Sequence, residues 1–182
     1  EANKGFLKSI VKAKEPIKVI VRSALEASPE ISSLNGGTLR ADFGIPIGKD
    51  VTTPIVSAIA ESITFMTQKF SVKGKSISGG VTIGIQPTSF VNLLGLGNTE
   101  LEKGGSIPWL QWLLTSGDSI IIADFGIDYG PKGRSGMGSM TVKQRPFKVD
   151  SSFSGTATDN FITRALAPKA AQIEKAIIRS LS

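Results

Sequence analysis

Between residues 64 and 87 the chain changes its period. Phe65, Phe70, Val72, Val81, Ile83 and Ile85 alternate with polar residues or glycine, the two-residue repeat of strands. Gly74-Lys75 and Gly79-Gly80 are turn candidates inside the stretch, which predicts a hairpin or two paired strands. Adjacent strands with no helix between them pair antiparallel, because a parallel pair needs a long crossover. A doubly wound parallel sheet is therefore disfavoured, and the expected class is α+β.

Helical periodicity brackets this region. Phe6, Ile10, Ala13, Ile17, Val21 and Ala24 recur at steps of three or four and predict a helix over 6–28. Pro16 kinks it or restarts it, and Ser28-Pro29 ends it. Residues 32–50, with Asn35-Gly36-Gly37, read as loop. A short helix follows over 51–63, with Thr53 as a cap and Pro54 in its first turn. Residues 88–98 read as a loop with a helical turn. The apolar run 107–114 predicts a compact helix capped by Ser106, with Pro108 in its first turn. A strand over 119–129 places Ile121, Ala123, Phe125, Ile127 and Tyr129 on one face. The Gly-rich loop 130–138 leads into a strand over 139–149 with Met140, Val142 and Phe147 as inward candidates. A C-terminal helix over 158–181 is kinked or split by Pro168. The 182 residues thus predict a single α+β domain: an antiparallel sheet with a long hairpin, packed by N-terminal and C-terminal helices.

The chain has no Cys and no His. That excludes a disulfide framework, thiolate or imidazole metal sites, a Cys nucleophile and a Ser-His-Asp triad. With the usual near-neutral proton carrier also missing, the expectation is no enzyme, no cofactor and no metal. No segment reaches the roughly 18–20 apolar residues of a bilayer span. Lys4, Lys8, Lys12, Lys14 and Lys18 are interleaved with apolar residues, unlike a signal peptide. This amphipathic helix could touch a membrane surface. The scatter of its lysines favours a solvated face instead, so no membrane partner is expected.

The net charge is +6, from 21 Lys+Arg against 15 Asp+Glu. Between Asp128 and Asp150 there are no acids, while Lys132, Arg134, Lys143, Arg145 and Lys148 fall in that gap. These five are the candidates for facing DNA; such a hairpin attracts phosphates without reading bases. No helix-turn-helix, zinc-finger or RNA-recognition signature accompanies them. The loop 130–138 is not a phosphate-binding P-loop, since a strand and not a helix follows it. It reads either as a flexible hairpin tip or as a basic arm that orders against a neighbour, with Lys132, Gly133, Arg134 and Met137 at the contact. Trp109 and Trp112, three apart on an apolar helix, read as a core anchor or as a subunit-interface anchor. Asp124 and Asp128 would sit about 13 Å apart along a strand, too far for paired-carboxylate chemistry. Asp42 and Asp118 stand beside turns and predict local hydrogen bonds.

Three features occur in the order found in the neck and tail-completion (tail-terminator) proteins of tailed bacteriophages. The loop Gly36-Gly37-Thr38-Leu39-Arg40-Ala41-Asp42 after a basic first helix resembles that family's T-G-x-L-R-x-S loop. A central sheet with a long hairpin follows. The run Asn160-Phe161-Ile162-Thr163-Arg164-Ala165-Leu166 resembles the family's P-F-L-x-P-A-L entry to its last helix. Two departures are that Gly37-Thr38 stands where the family has Thr-Gly, and that no Pro precedes Phe161. The segment 107–138 is also similar to virion structural proteins of myovirus-type phages. The resemblance implies a structural virion protein forming a ring in the neck. It implies a homo-oligomer, commonly hexameric, between the tail tube and the head-side connector, with DNA passing through its lumen. It further implies the virion as location, and the host cytoplasm during assembly. Another tail component (tube, sheath or baseplate) and a basic nonspecific nucleic-acid-binding protein are the alternatives.

Overall fold

The computed structural model describes residues 2–74, 76–85, 90–100, 104–143 and 146–181. The fold is α+β, with a helical body and small antiparallel ribbons. Helix α1 (Ala2–Glu26) buries Ile10, Ala13, Ile17, Val21 and Leu25, the stripe its sequence period predicts. It runs through Pro16 unbroken. Pro16 and Lys12, whose carbonyl loses a donor there, are both exposed, so water can replace the missing bond.

The stretch expected to be a loop is instead part of the core. Helices α2 (Pro29–Gly36) and α3 (Thr38–Asp42) occupy it, and Ile31, Leu34, Leu39, Phe43 and Ile45 are buried. Ser28-Pro29 both ends α1 and starts α2. The Ser28 Oγ accepts from the Ile31 N–H at 3.3 Å, and Pro29 fills the first helical position. Arg40 then ties the segment together. Its guanidinium donates to the Leu34 and Asn35 carbonyls at the end of α2, and to those of Pro46 and Lys49. A buried cation is thus held by carbonyl dipoles, in the favourable position at a helix C-terminus.

Helix α4 (Thr52–Glu61) packs Ile55, Val56 and Ile59 inward. Its cap is Asp50 and not Thr53: Asp50 Oδ1 accepts from the Thr52 and Thr53 N–H groups at 3.0 Å each. These bonds, that from Thr53 foremost, hold the Asp50 carboxyl below its ordinary range. Strands β1 (Thr64–Lys73) and β2 (Ser76–Gly84) form the predicted hairpin, turning at Gly74 with φ +61°. Gly79-Gly80 is no turn but lies within β2, and the irregularity falls instead between Gln68 and Ser71.

Helix α5 (Val91–Leu94) and the short pair β3 (Thr99–Glu100) and β4 (Ser106–Ile107) lead to α6 (Trp109–Leu114). Ser106 lies in β4, and Pro108 occupies the N-cap of α6. The predicted 119–129 strand is shorter than expected. β5 (Phe125–Tyr129) begins after Asp124, which sits at φ +61°, and Ile122 makes only an isolated bridge to Phe147. β6 (Gly138–Val142) pairs with β5. The C-terminal helix is split at Pro168 into α7 (Phe161–Leu166), a 3-10 turn and α8 (Ala170–Leu181). Asn160 and Thr163 form a capping box on α7.

The expected central sheet is replaced, among the described residues, by three separate two-stranded ribbons. The buried apolar cluster comes from α1–α7, β4 and their connections; among the described residues, β1, β2, β5 and β6 contribute no buried hydrophobic side chain to it. Buried Glu30 of α2 meets Arg164 of α7 at 2.9 Å, joining these two helices across 134 positions of sequence.

Candidate assembly surface

The loop after β5 is laid on its own chain. Arg134 donates through Nε to the Gly44 carbonyl at 3.1 Å and through Nη1 to the Glu100 carbonyl at 2.7 Å. Its own carbonyl accepts from the Ile47 N–H at 3.3 Å. Inside the loop, Gly130 N–H donates to Met137 O and Gly138 N–H to Lys132 O, both at 3.0 Å. Gly133 sits at φ +71°, and a Cβ there would lie 2.0 Å from the Gly138 carbonyl oxygen. Only glycine fits that turn. Ser135 is buried and Met137 half-buried. In this conformation the predicted arm is a compact loop docked against residues 44–47, and not an extension toward a neighbour.

The basic residues of this region have partners that spacing did not reveal. Lys132 Nζ lies 3.0 Å from Asp128, Lys143 Nζ 3.6 Å from Asp128, and Lys148 Nζ 3.2 Å from Asp118. The Lys132 hydrogen bond, aided by the charges of Lys132 and Lys143, holds the Asp128 carboxyl below its ordinary range. Arg145 lies outside the described residues. The acid-free gap from 129 to 149 is therefore neutralised in part by carboxylates at its border and beyond it. These are exposed ion pairs, which hold little energy but do lower the local potential.

Trp109 is enclosed by its own chain and stacks on Phe43 with ring centroids 5.6 Å apart. It offers no surface to a neighbour and anchors the core. Trp112 is half-buried against the same core. Asp124 precedes β5 and Asp128 lies within it; Lys143 reaches both, donating its N–H to the Asp124 carbonyl at 2.7 Å and pairing through Nζ with the Asp128 carboxylate at 3.6 Å. Asp42 does not make the local hydrogen bond predicted for it; its partner is distant, with Tyr129 Oη donating to its Oδ1 at 2.7 Å.

Two surfaces were not singled out by motif. The first is the β1–β2 ribbon, whose strands pair, among the described residues, with each other alone, leaving their outer edges open. Met66 on it is 63% exposed, and Lys69 is exposed. No acid lies between Glu61 and Glu100, whereas Lys69, Lys73 and Lys75 do. That run was readable in the sequence as a second, longer acid-free gap. The second is the apolar face of the β5–β6 ribbon. Cross-strand pairing puts Phe125, Ile127, Tyr129, Met140 and Val142 on one side. Met140 and Val142, expected inward, are exposed, and only Phe147 of that predicted trio is buried.

Among the described residues, no group of carboxylates is placed to hold a metal ion, and no helix is long and apolar enough to cross a membrane. No protein-family model, curated protein or solved structure matches the chain at a significant level.

Proposed function

We propose that this is a structural virion protein of a tailed bacteriophage that closes a ring from identical copies in the neck. It caps the tail tube and offers a face to the head-side connector. It acts by shape and transforms no substrate. The observation that carries this reading is the β1–β2 ribbon. Strands of ten and nine residues stand on a helical body with both outer edges unpaired among the described residues. At about 3.3 Å per residue the ribbon is roughly 30 Å long. Open edges of that length invite pairing with another chain, and a closed ring of identical copies satisfies them without creating new ones. The ribbon's lysines, with no acid nearby in sequence, suit a lumen through which DNA moves.

The resemblance of residues 36–42 and 160–166 to the neck family supports the same reading. In the structure Arg40 of the first run donates to the Leu34 and Asn35 carbonyls and Arg164 of the second pairs with Glu30, so both runs are tied to α2. The 130–138 loop serves in this account as a fixed part of that body's surface, with Lys132 at its rim.

Mass photometry of the purified protein, alone and with the tail-tube protein, tests the proposal. A single discrete oligomer is expected. Met66→Lys, which adds a charge on an exposed ribbon position, is expected to shift it to monomer. Monomer under both conditions ends the reading. Many copies stacked along the tail would place the protein in the tube, sheath or baseplate instead. The acid-free ribbon also favours nonspecific nucleic-acid binding as a second reading. There, affinity would fall steeply with salt, and Lys69→Gln with Lys132→Gln would flatten the slope.

A further inference from the structure

Asp42 is buried, with 7% of its surface exposed, and lies where two cavities meet beneath the β5–β6 ribbon. One cavity, of about 640 Å³, is mainly apolar and is walled by Phe43, Ile107, Ile122, Phe125, Ile127 and Met140. The other, of about 410 Å³, is more polar and carries Asp150. The ribbon's apolar face thus covers space and not packed core.

Among the described residues, the group that donates to the Asp42 carboxylate is the Tyr129 hydroxyl, on Oδ1. Among the described residues no Lys or Arg forms an ion pair with it. Lys143 and Lys148 line the polar cavity, but their ammonium groups are drawn to Asp128 and Asp118. The Arg134 guanidinium is turned to the Gly44 and Glu100 carbonyls. A buried carboxylate is costly unless it is paired. Among the described residues, what is missing beside it is a cation, and on the side of the larger cavity the approach to it is mainly apolar.

We propose that the Asp42 cavity is a binding site for a small organic cation, an ammonium group on an apolar body. The ammonium pairs with the open side of the Asp42 carboxylate, and the body lies against Phe125, Ile127 and Met140. Tyr129 orients the carboxylate from β5. Burial pushes the Asp42 carboxyl up to about 6, with the Asp150 charge adding to the effect. Binding therefore strengthens as pH rises through that value. The other titratable or charged groups facing the site are Tyr129, Asp150, Lys143 and Lys148 on the polar side and Arg134 on the apolar side. Tyr129 is pushed up from its ordinary value by burial and by Asp42, so it stays protonated.

The test is isothermal titration calorimetry of the full chain at pH 7.5 with phenethylammonium. Two probes of the same shape serve as comparisons, 2-phenylethanol and 3-phenylpropionate. The ammonium is expected to bind saturably at one site, about tenfold or more tighter than the alcohol, with no binding of the carboxylate. At pH 5 its affinity should drop several-fold. Asp42→Asn should bring the ammonium down to the level of the alcohol. Met140→Trp, at a position exposed enough to tolerate it, should fill the apolar cavity and abolish binding of both. Equal affinity for ammonium and alcohol overturns the proposal, as does full ammonium binding by Asp42→Asn. An absence of saturable binding, with Asp42-dependent self-association in its place, overturns it too. That result would make the missing cation a side chain of another copy.

Discussion

Asp42→Asn should stabilise the fold at neutral pH. The Asp42 carboxyl is raised from 3.8 to about 6, chiefly by burial, so the folded chain holds its proton more tightly than the unfolded chain does. For a carboxyl shifted in this direction, the folded state is favoured at low pH. The advantage is lost as pH rises from about 4 through about 6. Two pKa units at about 1.4 kcal/mol each make the ionised group cost about 3 kcal/mol above pH 6.5. Asparagine resembles the neutral acid in shape and can still accept from Tyr129 Oη. Its gain is thus up to about 3 kcal/mol at pH 7.5 and close to zero at pH 4. Asp50, Asp128 and Asp150 are shifted the other way and change stability with the opposite sign. Asp50 and Asp128 are common to both proteins and cancel in the difference, while the Asp150 repulsion is already contained in the Asp42 shift. Urea unfolding of wild type and variant at pH 4, 5, 6 and 7.5 reads that difference directly. A variant less stable than wild type at pH 7.5, or a difference that does not grow with pH, refutes the reasoning.

The buried end of the Glu30–Arg164 pair makes Arg164→Met costly, about 3 kcal/mol, because Glu30 is left charged and unpaired. Adding Glu30→Gln should recover much of that loss, as chemical denaturation of both variants would record. Phe43→Ala, in the segment that looks like a loop, should cost about 3–5 kcal/mol, since it empties a core position beside Trp109. Gly133→Ala forces a Cβ against the Gly138 carbonyl. Hydrogen exchange should then show lost protection at Gly130, Gly136 and Gly138, with α1–α4 unchanged.

What the sequence made legible was governed by local rules. The α1 stripe, the β1–β2 hairpin, the apolar α6 and the break at Pro168 follow from period and proline chemistry over a few residues. The segment 32–50 reads as loop in the sequence because Ser28-Pro29 serves equally as a stop for one helix and a cap for the next. Asn35-Gly36-Gly37 then marks only the one-residue junction between two short helices. The 130–138 loop looked like an arm because glycine and basic residues give no sign of where they dock. Its anchors at Gly44 and Glu100 are 90 and 34 positions away. Charge along the chain likewise overstated the basic patch, since Lys148 finds Asp118 across 30 residues. Asp42 was assigned a local bond from its place beside a turn. Its partner Tyr129 is 87 residues distant, and no periodicity connects them.

Electron microscopy of the protein mixed with its tail tube decides the central claim. Class averages showing one closed ring with an open lumen, its subunits joined through the β1–β2 ribbons, are the predicted result. Isolated single copies, or open filaments with no closure, would contradict it.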